Sequence, residues 1–495
     1  MTSAGGNWLT ALGRMLRGGP SQSGWEWSDR YAAYELWNAY YTNRVYEAFA
    51  QGGQREHIND SLGNASAADL AGLYNPVAQV VDLYLNVFAG AFGDEIQVEP
   101  TGAATPALVA AINQVWQWSN LTIEKQPLCR LAATHGSVGL RIVGRDHEDT
   151  TRRRVYIKPE HPKTIRDVQL DDRGNVEAIQ LEYDLTVGLA EASKTVTIRE
   201  QLEPDRIQTW RTQGETLLRF DLMGFAAAGM PADAIGRFDR GEHADYANPL
   251  GVVPYVLLRH EHTGETWGHN AFYKARAPID RLNALMSHTD IEIHRHVRAT
   301  WLIAAAGAAP ERITFDDLSV VYVDTRNATS NPMAQALVAN LDLIGAANQA
   351  KLQIDLIEDM LPELKATAGK FLSGQSGETI AELRKPAEEK IGLARANYED
   401  GLSRAQQIAV SYGILLGLWD VGTGSGSREA ADRAYHDGYE DHRFNRRPLL
   451  QLGDPPAPQA PAVLPQQARA GVAAPPPDGV GAMHDSAPPT DTGMV

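Results

Sequence analysis

The stretch from Leu341 to about Gly417 limits the fold more than any other part of the chain: a helix, a short loop at Ala366 to Gly377, and a longer helix. The first helix carries Leu341, Ile344, Leu352, Leu356 and Met360 as an approximate apolar stripe, interleaved with Asp342, Lys351, Asp355 and Asp359. Past the loop, Ile391, Ala394, Tyr398, Leu402, Ala405, Ile408, Tyr412 and Leu415 recur at three- and four-residue steps. At ~1.5 Å per residue the second helix would reach roughly 45 to 60 Å. Pro386 removes an amide donor and clashes with the preceding turn, which predicts a kink. Neither helix is expected to bury its surface within one subunit. The segment therefore reads as part of a ring and not as an active site.

A chain of 495 residues with 43% hydrophobic content is long enough for several domains with real cores. Its net charge of -17 argues against gripping nucleic acid along a broad surface, because counterion release needs clustered Lys and Arg. A passage through which DNA slides without sticking remains compatible with that charge. The single cysteine, Cys129, rules out an intrachain disulfide. No apolar run approaches the ~20 residues needed to span a bilayer, and the N-terminus lacks the apolar core of a signal peptide. A soluble, intracellularly made protein is expected, with no membrane contact and no cofactor.

Residues 1–24 are rich in Gly and Ser and are expected to be loose. Trp25 to Phe49 reads as an aromatic helix with Tyr34, Trp37, Tyr41 and Val45 on one side. Asn75 and Pro76 open a second helix to Phe88, and a third runs from Leu121 to His135 before Gly136 hands over to a strand at Leu140 to Val143. From Val155 to Leu257 the pattern turns to β, with strands at Val155 to Ile157, Val176 to Tyr183, Thr195 to Gln201, Arg206 to Thr212 and Thr216 to Phe220. A helix from Ala271 to about Arg298 follows, then strands at Ala299 to Ala306 and Val320 to Val323. The segment 453–495 is Pro- and Ala-rich and is expected to be disordered.

The order of these parts resembles the portal protein family of tailed double-stranded DNA bacteriophages, of the siphophage type. The resemblance runs from about Trp25 to Leu418. It is carried by Asn75 to Asn86 and the glycines after it, by Cys129 to Val143, by Gly251 to Pro254 with Trp267, Gly268, Ile279 and Asp280, and by Ser373 to Ile380 with Pro386 and Lys390.

The resemblance implies an α+β, mainly helical portal fold. Residues 25–270 would form a wing of N-terminal helices and a β-rich subdomain. Residues 271–298 would be the first stem helix, 299–331 a small β clip and 332–365 the second stem helix. Residues 366–376 would be the tunnel loop, 377–417 a kinked tunnel helix and 418–452 a crown-like helical region. It further implies a dodecameric ring at one capsid vertex of the virion, assembled in the bacterial host cytoplasm. The ring would be the channel for packaging and ejecting double-stranded DNA. Its partners would be the terminase large subunit, the head-tail adaptor, and the major capsid and scaffolding proteins.

On that reading Lys365, Gly369, Lys370, Ser373, Gly374, Gln375 and Ser376 face DNA, and small, flexible residues with few strong grips suit a moving duplex. Asp342, Asp355, Glu358 and Asp359 could keep the channel wall acidic. Arg312, Asp316 and Asp317 lie on the clip side facing terminase, and Pro386 is the kink of the tunnel helix.

Enzymatic readings are less well supplied. The spacing of Gly369, Gly374 and Ser376 imitates a phosphate-binding loop, but Gln375 stands where Lys is required and no strand precedes it. His288, His294 and His296 are spaced onto different helix faces. The pair His260 and His262 has no partner visible in the sequence. The alternative is a metal-dependent phosphoesterase using the cluster from His436 to His442, with His436 and Glu440 one turn apart, against which stands an ordinary charged helix face.

Overall fold

A computed structural model describes residues 27–44, 74–89, 105–187, 194–214, 244–297, 300–305, 320–324, 333–337, 343–367 and 377–441. Within them the chain is a mixed α+β protein. Helices α1 (Trp27–Tyr41), α2 (Val77–Phe88), α3 (Pro106–Trp118) and α4 (Leu121–His135) come first, followed by strands β1 (Ser137–Arg145) and β2 (Arg154–Glu160). Strands β3 (Ile165–Leu170), β4 (Val176–Val187), β5 (Lys194–Leu202), β6 (Arg206–Gly214), β7 (Ala244–Ala247) and β8 (Tyr255–Arg259) complete the β-rich part. It resolves into a three-stranded antiparallel sheet, β2-β1-β8, and a five-stranded antiparallel meander in chain order from β3 to β7.

Local signals explain most of these boundaries. Thr105 caps α3, accepting from the Leu108 amide at 3.3 Å, and Pro106 occupies the first turn where no amide is needed. That helix carries a start signal as clear as the others but was not expected from the sequence. Helix α1 ends earlier than expected because Asn43 turns left-handed at φ 57, and the Asn75 side chain donates to the Tyr40 carbonyl at 2.7 Å. Gly136, at φ 82, converts α4 into β1. A Cβ there would lie 2.1 Å from the Gly268 carbonyl oxygen, so the close approach of the two backbones excludes any side chain.

The remaining elements are α5 (Arg276–Val297), β9 (Thr300–Ala305), β10 (Val320–Asp324), β11 (Met333–Leu337), α6 (Leu343–Met360), α7 (Pro362–Thr367), α8 (Gly377–Leu415) and α9 (Arg428–Asp441). Strand β9 is central in its sheet, parallel to β10 and antiparallel to β11. Strand β11 falls where a helix starting at residue 332 was expected, and α6 begins only at Leu343. The long helix then stops at Met360, since Pro362 disfavours helical geometry at Leu361, and resumes as α7. The expected strand at Thr216 to Phe220, the loose N-terminus 1–24 and the Pro-rich segment 453–495 lie outside the described residues.

Helix α8 corrects the expectation that it lacks a core within one subunit. Ile391, Ala394, Tyr398, Leu402, Ala405 and Ile408 are all buried in the main core. There they meet residues of α2 and α4 and of the β2-β1-β8 sheet, which α8 crosses. Tyr398 packs its ring 4.9 Å from Phe88. Periodicity alone shows a stripe but not its cover, and here distant segments of the same chain supply it. The helix continues through Pro386, which sits on its exposed face.

Trp267, Gly268 and Asp280 each join separate elements. Arg30 of α1 stacks 4.0 Å over Trp267, the Tyr40 hydroxyl donates to the Asp280 carboxylate of α5, and the Gly268 amide donates to Ser137 Oγ at 3.0 Å. Between the two larger sheets, Arg141 of β1 reaches Glu200 of β5 at 2.7 Å and Glu160 of β2 at 3.8 Å. Burial disfavours the charged guanidinium there, but the two carboxylates outweigh it and hold Arg141 protonated.

Candidate assembly surface

Helices α5 and α6 pack side by side and run antiparallel, because the start of α5 and the end of α6 are both rooted in the core. Ile279 and Leu282 anchor α5, and Ile357 with Leu361 anchors α6. The β10-β9-β11 sheet joins their far ends, and its main contacts are among its own strands. The result is a two-helix stalk tipped by a small sheet.

The stalk is not fully covered. On α6, Ile344 is 77% exposed and Leu352 62%, and Leu356 and Met360 are also exposed, while Ile357 faces the core. Leu352, Leu356 and Met360 follow one another at four-residue steps and so form one stripe. Met286 and Ile293 add exposed apolar surface on α5. Scattered exposed leucines are ordinary, but a row at helical spacing on an element that leaves the core marks a surface that another molecule can cover. Asp355 and Asp359 are exposed beside it and Glu358 is half-buried, whereas Asp342 lies outside the described residues.

Of the expected DNA-facing set, Lys365 is described. It sits on α7 and pairs with Asp359 at the end of α6, so its charge is already engaged. Gly369, Lys370, Ser373, Gly374, Gln375 and Ser376 lie outside the described residues, as do Arg312, Asp316 and Asp317. Pro386 lies past the segment 368–376, in the early part of α8.

His436 is exposed and lies 3.5 Å from Asp432 of the same helix. The side chains of Asp437, Glu440 and Asp441 are outside the description, as is His442. Among the described residues no three His, Cys, Asp or Glu side chains gather as a metal site would require. His260 does have a partner: it is buried, and its Nδ1 lies 3.0 Å from the Tyr398 hydroxyl on α8. Burial first, and then the Lys390 charge, depress it to about 3. Glu261 pairs with Lys274 at 3.0 Å, and His262 lies beside Arg259. The link between His260 and Tyr398 spans 138 residues, too many for any local pattern to announce it.

The candidate site is thus the exposed apolar stripe on the core-rooted stalk of a mixed α+β chain. No protein-family model and no curated protein sequence matches the chain. Among the described residues no helix is long and apolar enough to cross a membrane.

Proposed function

We propose that the chain acts as a phage portal: a subunit of a ring, dodecameric in the virion, through which double-stranded DNA is packaged and ejected. The observation that carries this reading is the α5–α6 stalk, tipped by a separate small sheet and exposing Ile344, Leu352, Leu356 and Met360 in the isolated subunit. In a ring, neighbouring stalks would cover that stripe, and burying apolar side chains from water would drive the association. The exposed Asp355 and Asp359 suit a wall past which DNA moves without being held. The tip sheet is the clip that meets terminase and later the head-tail adaptor, and the wing lies against capsid and scaffolding proteins. The tunnel loop expected at 366–376 is the constriction around DNA, although Ala366 and Thr367 are the last residues of α7 and the loop proper is 368–376.

Native mass measurement with negative-stain imaging tests the reading. A ring with a central hole, at about twelve times the 54.0 kDa subunit mass or close to it, is expected. A stable monomer or dimer at micromolar concentration, with no ring in any image, would overturn it.

A further inference from the structure

The turn between β3 and β4 places Gly174 at φ 79, a left-handed conformation that glycine adopts without strain. Asp171 organises the turn: its carboxylate accepts from the amides of Arg173 at 2.8 Å and Asn175 at 2.7 Å, and from Asn175 Nδ2 at 2.8 Å. Burial pushes the Asp171 carboxyl up, but these bonds and the nearby Arg404 charge hold it below its usual range. Beside the turn opens a cleft of about 470 Å³, lined in part by Arg173, Gly174, Asn175, Arg404, Tyr435 and His436. That volume is in the range of small-ligand sites.

Two guanidiniums converge on this turn. A side-chain carbon built on Gly174 would lie 3.7 Å from Arg404 Nη1 and 3.8 Å from Arg259 Nη1. Like charges brought to one point repel unless an anion shares the space. Arg404 has two acidic neighbours, Asp400 at 3.0 Å through Nε and Asp171 of the turn, and its Nη1 donates to Asn175 Oδ1 at 3.3 Å, whereas Arg259 has no such neighbour among the described residues. Arg259 Nε donates to the Thr266 carbonyl at 2.9 Å, and Nη1 faces His262 Nε2 at 3.0 Å. Burial and the Arg404 charge both lower the proton affinity of Arg259, and His262 is depressed by burial and then by the two arginines. Glu177 and Arg173 are both exposed residues lining the cleft.

We propose that the space beside Gly174, which borders this cleft, binds a phosphate-type oxyanion, held between the Arg259 and Arg404 guanidiniums with Arg173 on the exposed side of the turn. Two forked donors and an open glycine match a tetrahedral oxyanion better than a single-point cation would. Gly174 keeps free the space that any side chain would fill. The site uses the β3–β4 turn and the late part of α8, so it stands or falls separately from the portal reading.

Calorimetric titration of the full chain with inorganic phosphate at low ionic strength tests it, with chloride at matched ionic strength as control. Saturable binding is expected, weakened about tenfold by Arg404→Gln or Arg259→Gln. Gly174→Asn tolerates the left-handed turn but puts a side chain between the arginines, so it should abolish binding in a folded protein. Arg173→Gln alters an exposed residue and should weaken binding severalfold with no change in thermal stability. A nucleoside monophosphate that binds more tightly than phosphate, with the same arginine dependence, assigns the rest of the cleft to the ligand's body. Equal affinity assigns the site to the free ion. Heats no larger than those of chloride, or phosphate affinity unchanged in both Gly174→Asn and Arg173→Gln, would overturn the proposal.

Discussion

Lys390 Nζ lies 2.6 Å from the carboxylate of Glu363, an acid shielded completely from solvent. The pair ties α7 to α8, the two helices that flank residues 368–376. The Tyr84 hydroxyl of α2 donates to the same carboxylate at 2.7 Å, and Lys390 also donates to the Ala271 carbonyl at 3.1 Å. Segments far apart in sequence therefore meet at one buried charge. The helices on either side of residues 368–376 are thereby held to the core and to each other.

Removing one member of this pair should be far worse than removing both. Lys390→Met leaves Glu363 charged without its counterion, and a buried pair broken in this way loses about 3–5 kcal/mol. Lys390 is partly exposed, so water screens the loss and about 2–4 kcal/mol is expected. Glu363→Gln combined with Lys390→Met should recover a large part of it. Urea midpoints of the single and double variants check this, and a double variant no more stable than Lys390→Met would contradict it.

Stability should fall with acid through three buried histidines. His161 is depressed to about 4 and His260 to about 3, and His135 lies well below its usual value, in each case chiefly by burial. The rings of His135 and His161 sit 4.4 Å apart, and Lys163 adds to the depression of both. A lowered folded value means that the unfolded chain takes up the proton first. The stability these groups provide is complete above about pH 6.5. It is lost at ~1.4 kcal/mol per pH unit per histidine as the pH falls towards the folded values. Urea unfolding between pH 7 and 5 should show this slope, and His260→Gln should flatten it by about one proton's worth.

Helix α4 and its handover to β1 were legible in the sequence because apolar spacing and Gly136 act locally. The strands at Val176, Lys194 and Arg206 were legible for the same reason, as alternating segments separated by turns. Strand β11 was not, because Met333 to Leu337 is extended through pairing with β9, a contact made about thirty residues away in sequence. The cover over α8 and the partner of His260 were hidden in the same way. Tyr398 is part of both, meeting Phe88 from α2 and His260 from the end of β8. The stripe on α6 was legible, and its exposure is what the structure adds.

Charge placed on that stripe should separate assembly from folding. Leu352→Asp with Leu356→Asp alters side chains already facing solvent, so the stability of the subunit should change by about 0.5 kcal/mol or less per site. If the stripe is covered by neighbouring copies, burying two carboxylates there is prohibitive. The double variant should then run as a folded monomer by mass measurement. An unchanged oligomer mass would remove α6 from the interface.

Pro386 offers a test of motion as distinct from assembly. It lies within α8 on the exposed face, where it supplies no amide to the preceding turn. Pro386→Ala restores that hydrogen bond and relieves the ring clash, for a gain of up to ~3 kcal/mol in helix stability. The change faces solvent, so the oligomer mass should stay the same while the urea midpoint rises. On the portal reading the proline lets the early part of α8 bend as DNA passes the segment before it. Stiffening that helix should then slow packaging in an assay of DNA protected per particle. A packaging rate equal to wild type, in a variant shown to be more stable, would mean that α8 works as a rigid rod and that any movement lies in residues 368–376 themselves.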